Sequence, residues 1–187
     1  CVDIDVEKWQ AADNKTKDAL IYGIKSGDIW LNKIKHDDEG KRIYGNVCLE
    51  VYLPSRGTCL LQHVNLAACE LGTLKEAFIK GMSELCSLHS RTGVGATGEY
   101  LPSDTDRQVG LGVLGLANLL HRYRVYYDEF GKALEAVNTG EYMAGIGYQL
   151  AFNLMDGIHA AARIAEDNNM VRAFAIAPTA SCSYRSW

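Results

Sequence analysis

Asn46-Val47-Cys48-Leu49-Glu50 sets an amide, a thiol and a carboxylate at every second position, with apolar residues between them. In an extended segment successive side chains point to opposite faces. The spacing therefore predicts Asn46, Cys48 and Glu50 on one face, with Val47 and Leu49 on the other. A carboxylate beside a thiol disfavours the thiolate, so Cys–His acyl chemistry fits this patch poorly. Chemistry in which sulfur acts as a neutral or radical species fits better. Read alone, Cys48 is also acceptable as a small buried hydrophobe.

Working outward, the segment is bounded by a polar turn at His36-Asp-Asp-Glu-Gly40 and by Pro54-Ser-Arg-Gly57. Thr58 to Val64 reads as a second strand, rich in apolar and β-branched residues. Asn14 to Lys25 reads as a helix stopped by Gly27, followed by a strand-like Asp28 to Asn32. Thr73 to Leu88 has the clearest helical pattern: Thr73 and Glu76 are spaced as a capping box, and Leu74, Phe78, Met82 and Leu85 fall on one stripe. A second helix is expected over Ser103 to Tyr123, with Ser103 and Asp106 as its capping pair, and a long one over about Gly140 to Asp167. Val171 to Ala177 closes the series as a strand.

The chain has 187 residues, 48% of them hydrophobic and 22% charged, which is enough apolar material for one core. A net charge of −4 without a basic stripe gives no footprint for nucleic acid. No apolar run reaches the length of a membrane span, and the first ten residues lack the pattern of a signal peptide, so no membrane partner and a cytoplasmic setting are expected. The six cysteines, at 1, 48, 59, 69, 86 and 182, have no regular spacing and read as reduced thiols. Three prolines and no Ser/Gly-rich linker or repeat leave no visible boundary, so residues 1–187 are expected to form one domain.

Two glycine motifs invite a nucleotide reading. Arg91 to Gly98 lacks the G-K-[ST] ending of a phosphate loop and reads as a connector. Gly110-Leu-Gly112-Val-Leu-Gly115 is a literal G-x-G-x-x-G, but the dinucleotide fingerprint needs a strand directly before its first glycine. The preceding Ser-Asp-Thr-Asp-Arg-Gln argues against one. Residues 110–115 are therefore expected to be helical and to bind no nicotinamide cofactor, the glycines allowing close approach to a neighbouring backbone. Near the end, Pro178-Thr179-Ala180-Ser181-Cys182-Ser183 is a turn crowded with hydroxyls that reads equally as an N-cap and as an anion site.

The segment YGNVCLEVYLPSRGTCLLQHVNLAAC (Tyr44 to Cys69) resembles the large, catalytic subunit of ribonucleotide reductases of bacterial or phage-like type. In that family an N-x-C-x-E finger loop is followed by a second cysteine and an asparagine-leucine pair. RQVGLGVLGLANLL (Arg107 to Leu120) and APTASCSY (Ala177 to Tyr184) agree in order and character. The resemblance implies thiyl-radical reduction of ribonucleoside di- or triphosphates to 2′-deoxyribonucleotides, on part of a ten-stranded α/β barrel left incomplete in this chain. It assigns Cys48 as the radical cysteine, Glu50 as the base for the ribose 3′-hydroxyl, Asn46 as the amide holding the ribose hydroxyls, and Cys59 as one of two reducing cysteines. Pro178, Thr179, Ala180, Ser181, Cys182 and Ser183 match the loop that binds the substrate phosphates.

The implied partners are the ribonucleotide, a thioredoxin- or glutaredoxin-type reductant and a radical source, either a metal-containing small subunit or adenosylcobalamin. With no E-x-x-H or H-x-x-H cluster, no metal is expected within this piece. Val47 and Leu49, in place of the Pro and Gly often seen in cobalamin-dependent members, lean towards the metal-subunit class. Gln62-His63 stand where small residues are common, and Cys182 replaces a more usual Thr or Ser. The first residue, Cys1, and the last, Trp187, read as the ends of an excised internal piece, expected to be inactive alone, with uncovered apolar surface at Ile29-Trp30 and Phe174-Ile176.

Overall fold

The computed structural model describes residues 2, 4–92 and 98–186. Cys1 and most of the glycine-rich loop at 91–98 lie outside them. The chain is mixed α/β and divides into two compact units, Cys1–Gly57 and Thr58–Trp187.

In the first unit, α1 (Val6–Ala11) and α2 (Asn14–Ser26) are capped by Asp5 and Asp13, whose carboxylates accept the Lys8 and Thr16 N–H groups. Those hydrogen bonds hold both carboxyls below the usual aspartate range. α2 ends on Gly27 in the left-handed region, as its sequence predicts. Asp28 to Asn32 does not form the expected strand. Ile29 folds back to donate its N–H to the Gly23 carbonyl, and only an isolated bridge joins Val2 to Leu31. A three-stranded antiparallel meander follows: β1 (Lys35–His36), β2 (Arg42–Gly45) and β3 (Tyr52–Pro54).

The second unit is built on a parallel sheet of β4 (Leu61–Asn65), β5 (Gln108–Leu114) and β6 (Arg172–Phe174), with β5 in the centre. Helix α3 (Leu74–His89) returns the chain from β4 to β5, while α4 (Leu116–Tyr123), α5 (Tyr127–Thr139) and α6 (Ile146–Asp167) connect β5 to β6. A short α7 (Ala180–Arg185) comes last. The predicted stripe of α3 is buried throughout, with Leu74, Met82 and Leu85 fully enclosed and Phe78 nearly so. Gly81 lets α3 lie against Leu111 and Val64 of the sheet. On another side Gly157 of α6 lies against Phe78 and the Lys75 backbone. The expected Thr73–Glu76 box is absent. Thr73 instead pairs with Glu70 in the 3₁₀ turn just ahead of the helix.

The helix expected over 103–123 is corrected. Residues 108–114 are a strand, and the helix begins only at Leu116. Of the polar run before Gly110 only two members are buried, and their groups are satisfied. Asp106 and Gln108 are almost inaccessible; Asp106 accepts from the Thr58 N–H and from the Gln108 amide, and its carbonyl is bonded to His89 Nε2. Asp106 is therefore a buried anchor, not half of a capping pair. Gly112 sits in the middle of the strand, where any Cβ would collide with the Ala175 carbonyl and with His63. The bulk of His63, opposite Gly112 in the register, is accommodated by that missing side chain. The long helix expected from Gly140 starts at Ile146, after Gly140 has already ended α5.

Candidate functional site

Residues 46–50 are not extended. They close the β2–β3 hairpin as a tight turn: the Leu49 N–H reaches the Asn46 carbonyl at 3.1 Å, and Leu49 has φ 65°. The expectation of an extended segment with Asn46, Cys48 and Glu50 on one face is corrected accordingly, while the loop that the N-x-C-x-E resemblance implies is met by this turn. Their alternation comes from a turn, where side-chain direction does not follow a period of two. The Asn46 N–H donates to the Val51 carbonyl, and its Oδ1 accepts the Val51 N–H at 3.3 Å, so the amide braces the loop that carries the thiol. The Leu49 side chain folds back over Gly45. Val47 is 96% exposed, and Cys48 is exposed beside it. Glu50 is half-buried, and its Oε2 is shielded from solvent without a hydrogen-bond partner. A shielded carboxylate oxygen with no donor is costly unless something arrives to satisfy it.

The remaining candidates belong to the second unit. Cys59 is exposed and lies two residues ahead of β4. Its neighbours are fixed on both sides, by the Thr58 N–H to Asp106 Oδ2 at 2.7 Å and by the Leu60 carbonyl accepting the Gly110 N–H at 2.9 Å. At the opposite end of the same strand, the carboxyl ends of β4 and β5 open into a cleft of about 560 Å³ lined by Asn65, Gly115, Asn118, Thr179 and Ser183. Carboxyl ends of parallel strands are where α/β folds bind ligands, because the strand-to-helix turns diverge there. Of the expected phosphate loop, Thr179 and Ser183 line this cleft, while Pro178, Ala180, Ser181 and Cys182 are exposed. Cys59 and this loop are not brought together, since they sit at opposite ends of β4.

Asn65 and Gly115 shape the cleft. Asn65 Oδ1 accepts the Ala67 N–H at 3.1 Å, and its Nδ2 donates to the Ser186 carbonyl at 3.3 Å, which ties the end of β4 to the segment after α7. Gly115 takes φ 75° at the start of α4, and a Cβ there would stand 2.8 Å from Asn65 Oδ1 and 2.9 Å from the Ala67 nitrogen. Only glycine permits this approach. Gly110 and Gly112, by contrast, lie inside the sheet, with the Gly110 N–H committed to the ladder. Asn118 was not singled out by the sequence, because its place at a strand end depends on recognising β5. Gln62, which stands where the family commonly has a small residue, donates to Glu84 of α3 at 3.2 Å.

No protein-family model and no curated protein matches the chain. Among the described residues, no group of three His, Cys, Asp or Glu side chains could hold a metal ion, and no helix is long and apolar enough to cross a membrane.

Proposed function

We propose that the chain carries the thiyl-radical loop of a ribonucleotide reductase catalytic subunit and reduces ribonucleoside di- or triphosphates to 2′-deoxyribonucleotides. In this reading its three parallel strands belong to the ten-stranded α/β barrel of that family. The observation that carries it is the β2–β3 turn, which presents an exposed Cys48 two residues from a carboxylate whose Oε2 is shielded and unsatisfied.

The roles follow the resemblance. The sulfur radical of Cys48 takes the ribose 3′ hydrogen atom, forming S–H and leaving a carbon radical, while Glu50 accepts the 3′-hydroxyl proton. A ribose hydroxyl donating to Glu50 would meet its unsatisfied oxygen. The 2′-hydroxyl departs as water. Two thiols, Cys59 and a second cysteine, supply two electrons and two protons and become a disulfide. Cys48 returns its hydrogen to C3′ and recovers its radical. A metal-containing small subunit or adenosylcobalamin would supply the oxidising equivalent that first makes that radical, and a thioredoxin- or glutaredoxin-type protein would reduce the disulfide. Asn46 would position the ribose hydroxyls from the turn it braces. Thr179 and Ser183 would meet the phosphates at the strand-end cleft.

In the complete enzyme supplied with its radical source and a dithiol, Cys48→Ala and Cys48→Ser are expected to abolish deoxynucleotide formation with unchanged circular dichroism. Glu50→Gln is expected to lower kcat by about 10²–10⁴, the usual worth of general acid–base catalysis. Wild-type turnover in either Cys48 variant overturns the reading.

A further inference from the structure

Apart from the strand-end cleft, the junction of α4 and α5 forms a groove of about 610 Å³, walled by His121, Arg124, Tyr126 and Tyr127 over a floor of Leu120 and Val125. The backbone of this junction is a Schellman ending: the Arg124 N–H reaches the His121 carbonyl and the Val125 N–H reaches the Leu120 carbonyl, at 3.1 and 3.0 Å. The left-handed residue of such an ending is ordinarily glycine, and α2 and α5 of this chain end on Gly27 and Gly140. At the end of α4 the position is held by Arg124, at φ 56°. A side chain kept where glycine relieves strain calls for a reason in the side chain itself.

Nothing among the described residues supplies that reason. Among the described residues, the guanidinium of Arg124 and the imidazole of His121 make no hydrogen bond or ion pair. The adjacent Arg122, in contrast, is fully engaged with the Ala67 and Cys69 carbonyls and with Glu70. Tyr126 and Tyr127 stand 78% and 61% exposed beside Arg124. Asp128 and Glu129 follow on the first turn of α5 but do not line the groove.

We propose that this groove binds an aromatic ring bearing a phosphate, of the class of a nucleoside monophosphate. A permanently charged guanidinium with five donors suits a phosphate. Two exposed phenol rings offer stacking faces to a planar ring. The floor of Leu120 and Val125 is apolar, and the volume is in the range of small-molecule sites. None of the residues lining this groove has a part in the proposed reductase chemistry.

The test is calorimetric titration of the 187-residue chain with AMP, adenosine and inorganic phosphate. AMP is expected to saturate with Kd below about 1 mM, and adenosine and phosphate to bind at least about tenfold more weakly. Arg124→Gly is expected to weaken AMP at least about tenfold while leaving Tm unchanged or higher, because glycine relieves the left-handed strain. The double variant Tyr126→Ala, Tyr127→Ala is expected to weaken AMP similarly, and Tyr142→Ala, an exposed tyrosine that does not line the groove, to leave it unchanged. Absence of saturable binding, AMP affinity retained by Arg124→Gly, or affinity lost through Tyr142→Ala would each overturn the proposal.

Discussion

Gly115 and Gly131 differ in what a methyl group would meet, and the difference sets opposite expectations. At Gly115 the Cβ would crowd Asn65 and Ala67 on a left-handed backbone, so Gly115→Ala is expected to lower unfolding stability by about 1–3 kcal/mol in urea titrations. Gly131 is exposed on α5 with nothing within 4 Å, and Gly131→Ala is expected to raise stability by about 0.5–1 kcal/mol. The thiols divide as clearly. Burial pushes Cys69 and Cys86 above the ordinary thiol value of 9.0, whereas Cys48, Cys59 and Cys182 are exposed. Mass spectrometry after brief alkylation at neutral pH is expected to find label on the exposed three and none on the buried two. Because the buried thiols stay neutral in the folded chain, the unfolded chain loses its thiol protons first. Their contribution is complete below pH 9 and fades above it, so Tm is expected to fall there, less steeply in Cys86→Ala. The chemistry proposed for Cys48 and Glu50 rests on their types and their closeness in sequence. Their relative orientation is not, because a five-residue alternating run fits a strand and a hairpin turn alike.

Helix α3 carries the sheet on one side and α6 on another, and Phe78 meets Gly157 where α3 and α6 touch. Phe78→Ala is expected to cost about 3–5 kcal/mol, measured from the urea midpoint at constant m-value. That helix was legible because its apolar residues recur at helical spacing over sixteen positions. Strand β5 was not legible. It is buried over its first five residues, so no in–out alternation marks it, and two of its seven residues are glycines that ordinarily weaken a strand. Both glycines answer to neighbours distant in sequence: Gly112 makes room for His63 and Ala175, and Gly110 pairs with Leu61. The strand-end cleft followed β5 out of sight, and with it Asn118. The polar Asp106 and Gln108 point away from burial until Thr58, His89 and Arg172 are known to face them.

The apolar core, from Val64 to Ala165, lies entirely within the second unit, while Ile43 is the one deeply buried apolar side chain among the described residues of the first. Residues 58–187 expressed alone are therefore expected to unfold cooperatively, and residues 1–57 alone to show no cooperative transition by calorimetry, since a chain of that length with so little core is marginal. The proposed chemistry requires both halves of the sequence, with the radical cysteine in the first and the reducing cysteine in the second. It is tested by turnover of a [3′-²H]ribonucleotide in the complete enzyme, with wild-type and Cys48→Ala proteins side by side. Hydrogen abstraction by the Cys48 radical should give a primary deuterium isotope effect in the wild type and no deoxynucleotide at all in the variant. Deoxynucleotide formed by Cys48→Ala would contradict it.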